Sequence, residues 1–328
     1  MRPVELVGRS CGVDAEDRAD AGAQKLPAGD CPGVAGAGRL NPEWERMHAR
    51  VRAILRKDLF FIVGCQKSGT TWVMKLLGEH PQIYCTGELC FGPFLLPALR
   101  QAVATFNERT RYSDPVLRFT DAQLEYLFAT SIGMLLGNVL GERAVNCIGE
   151  KTPEHALIVP VLAKLFPQAK FVHIVRDGRD AAISGWFYNQ KLKGAAFRRQ
   201  FPELVNYVLL FVQQYWVPYI NAARSVARSA PERYFELRYE DLHADLGRVL
   251  GPLLRFLDVD ASEEVQRRCG ERASFEALSG GRRRGECDNQ SFYRKGIVGD
   301  WKNHFDDLSR AAFERFGGKL LRELGYEV

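Results

Sequence analysis

The sequence predicts an α/β protein in which a central parallel sheet is flanked by helices in three layers. Short apolar runs with the length of strands alternate along the chain with helical patterns, an order that indicates a parallel sheet covered on both faces. The polar motifs directly follow these runs, and ligands of such sheets bind where the strands end. With 328 residues, 46% of them hydrophobic, the chain can fill one large core.

Four strands are predicted, and a helix follows each of them. The strands are residues 59–63, 144–148, 170–175 and 234–238, and the helices are residues 71–80, 154–166, 179–188 and 242–257. A further helix is predicted from Asn41-Pro42 to Leu55. Residues 1–40 are rich in Gly, Ala, Asp and Arg without an apolar period, so they are predicted to be a disordered leader. Residues 41–328 are then expected to form a single domain.

Two segments interrupt the alternation, near residues 86–140 and 191–230. Both have helical patterns and are rich in Phe, Leu and Tyr. They could form the walls of a substrate pocket or could simply be extra packing helices, and the second interpretation is slightly favoured for any single residue. No internal repeat is visible.

The composition limits the partners and the compartment. Lys and Arg outnumber Asp and Glu by 45 to 40, a net charge of +5 that is too small to indicate nucleic acid but suits an anion in a local basic pocket. The eight cysteines show no C-x-x-C spacing, which argues against a zinc site or a dense disulfide framework. Cysteines without these roles fit a protein of the reducing cytoplasm. No apolar run reaches the ~20 residues of a membrane span, and the first forty residues lack the apolar run of a signal peptide.

A glycine-rich loop follows the first predicted strand. Gly64 and Gly69 have the spacing of the P-loop pattern G-x-x-x-x-G. Glycines allow backbone N–H groups to turn inward, and the next helix adds its positive N-terminal end. The loop therefore predicts a P-loop-type fold with a cradle for phosphate or sulfate, although an ordinary strand-to-helix turn is the alternative.

The same loop departs from the nucleoside-triphosphatase pattern. There a Lys follows the second glycine, and the next Ser or Thr holds magnesium. Here Thr70 occupies that Lys position, while Lys67 lies three residues earlier. Lys67 can then approach the bridging oxygen of a donor, and the hydroxyls of Thr70 and Thr71 can bind phosphate. No metal is expected.

Two later motifs also suit phosphate. Arg176 follows the third strand and Ser184 lies eight residues on, where both can reach an anion at a helix N-terminus. Asp177 is interpreted as a helix cap in preference to a magnesium ligand. Near the C-terminus, Arg294-Lys295-Gly296 reads as a flexible basic flap.

Together these motifs resemble the sulfotransferases that use 3′-phosphoadenosine 5′-phosphosulfate (PAPS), over residues 60–304 and in the family's order. Lys67-Ser68-Gly69-Thr70-Thr71-Trp72 resembles the 5′-phosphosulfate loop, with the Trp on adenine, and Tyr239-Glu240-Asp241-Leu242 also matches the family. The resemblance implies PAPS as sulfuryl donor, Lys67 as the residue that stabilises the leaving phosphate, and a hydroxyl or amine of a small molecule or sugar as acceptor. The implied donor ligands are Gln66, Lys67, Ser68, Gly69, Thr70, Thr71, Trp72, Arg176, Ser184, Tyr239, Arg294, Lys295 and Gly296.

Transfer also requires a general base for the acceptor proton. Glu88 is similar in position to the base of glycan-type sulfotransferases and is ranked first, with Lys151 as an electrostatic helper. His155 is held in reserve, because Pro153 and Glu154 separate it from Lys151-Thr152, unlike the K-T-H of the phenol and steroid branch.

Two other functions are kept as alternatives. A P-loop small-molecule kinase would need ATP and magnesium, and it leaves Thr70 unexplained. A non-catalytic nucleotide-binding module would keep the fold without the chemistry. The Gly/Arg loop of residues 280–285 is expected to be solvated surface, although it could also close over the donor or attract an acidic acceptor. The sequence predicts neither the acceptor's identity nor the oligomeric state.

Overall fold

Five parallel strands form the centre of the protein. The computed structural model describes residues 41–327, so the predicted leader of residues 1–40 lies outside the described residues and the domain boundary remains a prediction. The strands are β1 (Asp58–Gly64), β2 (Ile83–Gly87), β3 (Cys147–Lys151), β4 (Lys170–Val175) and β5 (Tyr234–Arg238). They pair in the order β2-β3-β1-β4-β5, and every pairing is parallel.

Helices cover both faces of this sheet. They are α1 (Pro42–Leu55), α2 (Thr70–Gly78), α3 (Leu96–Arg109), α4 (Asp121–Leu140), α5 (Val159–Leu165), α6 (Gly178–Gln200), α7 (Leu204–Phe211), α8 (Val217–Ser229), α9 (Tyr239–Ala244), α10 (Leu246–Phe256), α11 (Glu263–Arg272), α12 (Phe275–Ser279) and α13 (Asp307–Glu323). Within residues 41–327, no helix is both long and apolar enough to cross a membrane.

The core lies in two layers because successive residues of β1 face opposite sides of the sheet. Phe61 and Val63 pack in the larger cluster, with α4, α7, α8 and α13. Phe60 and Ile62 pack in the other cluster, with α2 and α10. The predicted three-layer α/β fold with a central parallel sheet is thereby confirmed.

The strand predictions differ from the structure at one edge of the sheet. β4 and β5 have the predicted bounds, and β1 is one residue longer at each end. β3 begins at Cys147 instead of residue 144 and continues to Lys151, so the charged Glu150 and Lys151 are strand residues. β2 was missed altogether. It is an edge strand, largely half-buried, and it lacks the long apolar run on which the prediction depended.

The helices differ mainly where the backbone is capped or interrupted. The segment predicted as residues 154–166 begins as a 3-10 turn, and α5 starts only at Val159 because Pro160 fits the first helical turn. The segment predicted as residues 242–257 is two helices, since Asp245 adopts an extended backbone and its carboxylate accepts the N–H of Arg248. α6 continues past Tyr188 to Gln200 across a kink at Gly194.

Candidate active site

The loop between β1 and α2, residues 64–69, has a backbone that only glycine fits at two places. Gly64 has φ +155°, and a Cβ there would lie 2.5 Å from the carbonyl oxygen of Ile174. Gly69 has φ +103°, and its Cβ would lie 2.7 Å from Cδ2 of Tyr239. The loop therefore packs directly against β4 and α9, and its N–H groups precede the N-terminus of α2.

Lys67 is held in a left-handed backbone conformation within this loop. Its φ is +66°, which costs a non-glycine residue about 1–2 kcal/mol. The carbonyl of Lys67 accepts a hydrogen bond of 3.1 Å from Nη1 of Arg176. Next to it, the buried hydroxyl of Ser68 has no hydrogen-bond partner among the described residues, so it can still donate to an anion.

A cavity of about 300 Å³ opens beside this loop. It brings together all of the predicted site residues except Ser68, Lys151 and His155. Those that line it are Gln66, Lys67, Gly69, Thr70, Thr71, Trp72, Glu88, Arg176, Ser184, Tyr239, Arg294, Lys295 and Gly296.

The lining of this cavity is strongly basic. It contains five cationic side chains, Lys67, Arg176, Arg284, Arg294 and Lys295, against the two carboxylates of Glu88 and Glu154. An excess of cations in a concave, partly desolvated site favours a ligand with several negative charges. The cavity thus suits a polyanion better than a neutral molecule.

Lys67 is one of these five cations, and its surroundings change its acidity. Burial lowers the pKa of Lys67 to about 8, and the positive charge of Arg176 adds to the effect, while Glu88 opposes it. Its Nζ lies 3.8 Å from the centre of the Tyr188 ring and 4.6 Å from that of Phe292. Aromatic faces stabilise an ammonium group that has lost part of its hydration.

The two cations of the predicted flap form ion pairs with a buried carboxylate. Lys295 Nζ donates to Asp300 Oδ1 at 2.7 Å, and the Arg294 guanidinium donates to the other oxygen of Asp300. Burial alone would raise the pKa of Asp300, but the hydrogen bonds from Lys295 and Arg294 hold it below its usual range. Both cations therefore keep fixed positions at the cavity wall.

Aromatic rings form a separate part of the cavity. Trp72 Nε1 donates to the carbonyl of Ala273 at 2.9 Å, and its ring meets that of Tyr239 edge-on at 5.5 Å. Phe275 lies under the flap, where a Cβ on Gly296 would approach its ring to 2.5 Å. Rings in these positions provide flat apolar surfaces of the kind that bind a nucleobase.

Several lining residues were not among the predicted site residues, and four of them lie beside Lys67 or the aromatic rings. Phe275 and Arg284 lie on the aromatic side, while Tyr188 and Phe292 flank Lys67. Only Phe292, two residues before Arg294, had a signal that could have been used. Arg284 belongs to the loop expected to be solvated surface, yet it lines the cavity, and its guanidinium lies 5.5 Å from the centre of the Trp72 ring.

Glu88 and Lys151 form an ion pair at the carboxyl edge of the sheet. Lys151 Nζ lies 2.5 Å from Glu88 Oε1, with side chains that are 4% and 55% exposed, respectively. Below them, the buried carboxylate of Glu150 accepts the N–H of Leu89 at 3.0 Å and the hydroxyl of Thr152 at 2.6 Å. One oxygen of Glu88 is thus tied to Lys151, while the residue itself reaches the cavity.

His155 does not lie in the cavity. It is completely buried, stacked on Phe91 with ring centres 3.9 Å apart. Its Nε2 accepts the N–H of Gly92 at 3.1 Å, and its Nδ1 lies 2.8 Å from Oε2 of Glu150. Because both ring nitrogens face protein groups, this geometry does not support His155 as the reserve base.

The two helical segments contribute little to the cavity. Of residues 86–140 only Glu88 lines it, and none of residues 191–230 does. Residues of both segments pack in the larger core cluster, and a part for them in acceptor binding stays a prediction. Asp177 has the predicted capping role, since its carboxylate accepts the N–H of Arg179 at the start of α6.

The model of the family described as "Sulfotransferase family" matches residues 59–263, which is more than half of the chain. The chain belongs to the sulfotransferase family. Among curated relatives of this sulfotransferase is "Sulfotransferase 1E1" of Rattus norvegicus, 24% identical over 79% of this chain and 82% of the relative. Another is "Protein-tyrosine sulfotransferase 1" of Danio rerio, 28% identical over 69% of this chain and 63% of the relative.

Solved structures confirm the fold of this sulfotransferase. Mouse sulfotransferase SULT7A1, described as complexed with PAP, superposes with a TM-score of 0.54 at 18% identity, over 84% of this chain and 91% of the other. Sulfotransferase STF9 from Mycobacterium avium gives a TM-score of 0.53 at 14% identity, over 87% and 81% of the two chains.

Proposed function

We propose that this sulfotransferase transfers a sulfuryl group from PAPS to a hydroxyl or amine of a small-molecule or sugar acceptor. One observation carries the proposal: a single cavity is lined by the phosphate loop, by a second basic cluster and by aromatic rings. A nucleotide with phosphates at both its 5′ and 3′ positions has matching parts. A mononucleotide with phosphates at one end leaves the second cluster without a ligand.

Features of this chain fit that donor. On the 5′ side, the unpaired hydroxyl of Ser68 and the N-terminus of α2 suit the phosphosulfate. On the 3′ side, Arg176, Ser184, Arg294 and Lys295 line the same cavity. Trp72, Tyr239 and Phe275 would hold the adenine, and Gly296 would let the flap backbone approach. When bound, PAPS supplies a sulfuryl group activated by its phosphate leaving group.

Lys67 is proposed to stabilise the charge that develops on the 5′-phosphate as the sulfur–oxygen bond breaks. Its ammonium group can donate to that oxygen, and its partial desolvation strengthens the interaction. With a pKa of about 8, Lys67 stays mostly protonated at neutral pH, as this role requires.

Glu88 is proposed as the general base, with Lys151 as its positioning residue. Lys151 binds one oxygen of the Glu88 carboxylate, which leaves the second oxygen to accept the acceptor's proton. The exposed side of Glu88 gives a bulky acceptor access. A neutral amine or hydroxyl that arrives here would form its new bond to sulfur as its proton passes to Glu88.

The donor is tested by calorimetry with 3′,5′-diphosphoadenosine (PAP), alongside ATP and AMP with magnesium. We expect metal-independent binding of PAP with a Kd of micromolar order, weakened at least tenfold in Arg176→Ala. Absence of PAP binding, together with magnesium-dependent binding of ATP, would contradict the proposal and favour a kinase.

The acceptor requires a separate screen. Radiolabelled PAPS should be incubated with a phenol, a sterol, a primary amine and an aminosugar, and labelled products separated from free sulfate. A labelled product that needs Lys67 would support transfer. Binding of PAP without turnover on any acceptor would favour the non-catalytic module. A cytoplasmic location stays a prediction from the cysteine pattern.

A further inference from the structure

We propose that Arg176 is a positioning residue for the phosphate loop, in addition to its expected contact with the 3′-phosphate. Through the carbonyl of Lys67 it would hold that residue in its left-handed conformation and so link the two ends of the donor site. The inference rests on the proposed function for the identity of the donor, but the contact itself lies within the protein.

The contact joins two distant parts of the chain. Nη1 of Arg176, directly after β4, donates to the Lys67 carbonyl at 3.1 Å. Nη2 donates to the carbonyl of Ile297 at 3.2 Å, in the segment that follows the flap. A guanidinium group has planar, fixed donors. It therefore sets the separation of these two carbonyls as well as binding each of them.

Arg176 is itself held firmly. Its guanidinium carbon lies 4.2 Å from the centre of the Tyr239 ring, and Asp180 lies 3.8 Å from Nη2. The indole N–H of Trp216 donates to the backbone carbonyl of Arg176 at 3.0 Å. With its side chain held by Tyr239 and Asp180 and its backbone held by Trp216, Arg176 can transmit its position to Lys67, whereas a solvated arginine could not.

The same side chain keeps capacity for an anion. A guanidinium group has five N–H donors, and the contacts with Lys67 and Ile297 use only two of them. Nε is buried and has no hydrogen-bond partner among residues 41–327. Arg176 can therefore bind a phosphate while it still holds the loop, which makes loop geometry and occupancy of the 3′ site interdependent.

Calorimetry with two nucleotides separates the two roles. PAP carries both phosphates, whereas AMP carries only the 5′-phosphate and cannot report a direct 3′ contact. Both ligands should be titrated into the full chain as wild type, Arg176→Ala, Arg176→Lys and Lys295→Gln. Arg176→Lys keeps the positive charge but loses the planar set of N–H donors of the guanidinium group. Lys295→Gln removes a cation on the 3′ side that makes no contact with Lys67. Circular dichroism should first show that each variant is folded.

We expect both Arg176 variants to weaken AMP binding by about tenfold, the effect of losing a hydrogen bond that positions the loop. Lys295→Gln should weaken PAP while AMP stays within about twofold. An AMP affinity within about twofold of wild type in both Arg176 variants would overturn the proposal, even if their PAP binding fell.

A second readout needs no nucleotide. The acetylation rate of the Lys67 amine by acetic anhydride, followed by peptide mass spectrometry across pH, should give a midpoint near 8 in the wild type. In Arg176→Lys a loosened loop gives Lys67 more solvent, and the midpoint should rise although the positive charge is retained. An unchanged midpoint would contradict the link to Lys67. Failure of the wild type to bind PAP would instead count against the proposed donor.

Discussion

Glu88 and Lys151 meet across the carboxyl ends of two neighbouring strands, with 2.5 Å between Oε1 and Nζ. Lys151 is the last residue of β3, and its partner in the ladder is Gly87, the residue just before Glu88. The lysine is almost fully buried, whereas the glutamate is about half exposed. The pair therefore holds one oxygen of a carboxylate that lines the cavity, while the rest of this side chain stays accessible to a second molecule.

Glu88→Gln should lower turnover by about 10²–10⁴-fold, because a neutral amide cannot take the acceptor proton. PAP affinity should stay within about twofold, since an exposed carboxylate is well screened. Initial rates with an acceptor from the screen, together with calorimetry, measure both quantities. Glu314→Gln, on the exposed face of α13, is the matched control. Near-wild-type turnover in Glu88→Gln would rule out Glu88 as base.

Lys67→Ala should remove most turnover, by about 10²–10³-fold, because the developing charge on the phosphate loses its nearest ammonium group. Folding should be little affected, since the variant relieves a buried charge and keeps the loop glycines. Lys75→Ala removes a lysine from the last turn of α2, the same helix, and controls for general charge loss. Equal rates in the two variants would contradict the assigned role.

PAP binding should be coupled to proton uptake near pH 8 and above. Lys67 titrates near pH 8 in the free protein, and a bound anion favours its charged form. At pH 8 about half a proton should be taken up per PAP bound, and PAP affinity should fall as pH rises through this value. Calorimetry in two buffers of different ionisation enthalpy measures the uptake. Uptake that persists in Lys67→Ala would assign the proton to another group.

Asp300→Asn should weaken PAP binding by about tenfold, because Arg294 and Lys295 lose the carboxylate that positions them. The melting temperature should also fall, since two cations are left close together with less compensation. Asp307→Asn, at the exposed start of α13, serves as the control. Tighter PAP binding in Asp300→Asn would show that Asp300 competes with the nucleotide instead of preparing its site.

Gly69→Ala should abolish measurable PAP binding and lower stability by about 1–3 kcal/mol, because its Cβ would overlap the Tyr239 ring at a positive φ. Gly280→Ala separates the two causes. Gly280 also has a positive φ, +76°, but a Cβ there meets no atom within 4 Å. Thermal melts and calorimetry on both variants should show a loss of binding only at Gly69.

The sequence predicted best those parts of the fold that ordinary burial determines. β4 and β5 have apolar runs whose ends coincide with the structure. β3 was misplaced because Glu150 and Lys151 are buried in a strand, where charged residues are rare. Their burial is tolerated because Leu89, Thr152 and Glu88 provide partners, and these long-range contacts are invisible in a local pattern.

The cavity shows the same division. Residues 66–72 are contiguous, so the glycine spacing located most of the phosphate loop from sequence. Phe275 reaches the cavity from a short helix and Arg284 from a loop, and neither segment carries a periodic signal. His155 was considered as a base because of its chemistry, but its environment is decided by Gly92 and Glu150, which only the fold brings to it.

The pairing of β1 with β4 bears on which nucleotides the cavity can bind. These strands are hydrogen-bonded neighbours, with Gly64 opposite Ile174, and neighbouring strands lie about 4.8 Å apart. One strand ends in the phosphate loop and the other in Arg176. If the proposed donor is right, the strand spacing would set the distance between the two phosphate sites, so the distance between the phosphates of a ligand would matter as well as their number. An isomer such as 2′,5′-diphosphoadenosine carries the same charge, but the distance between its two phosphates is different.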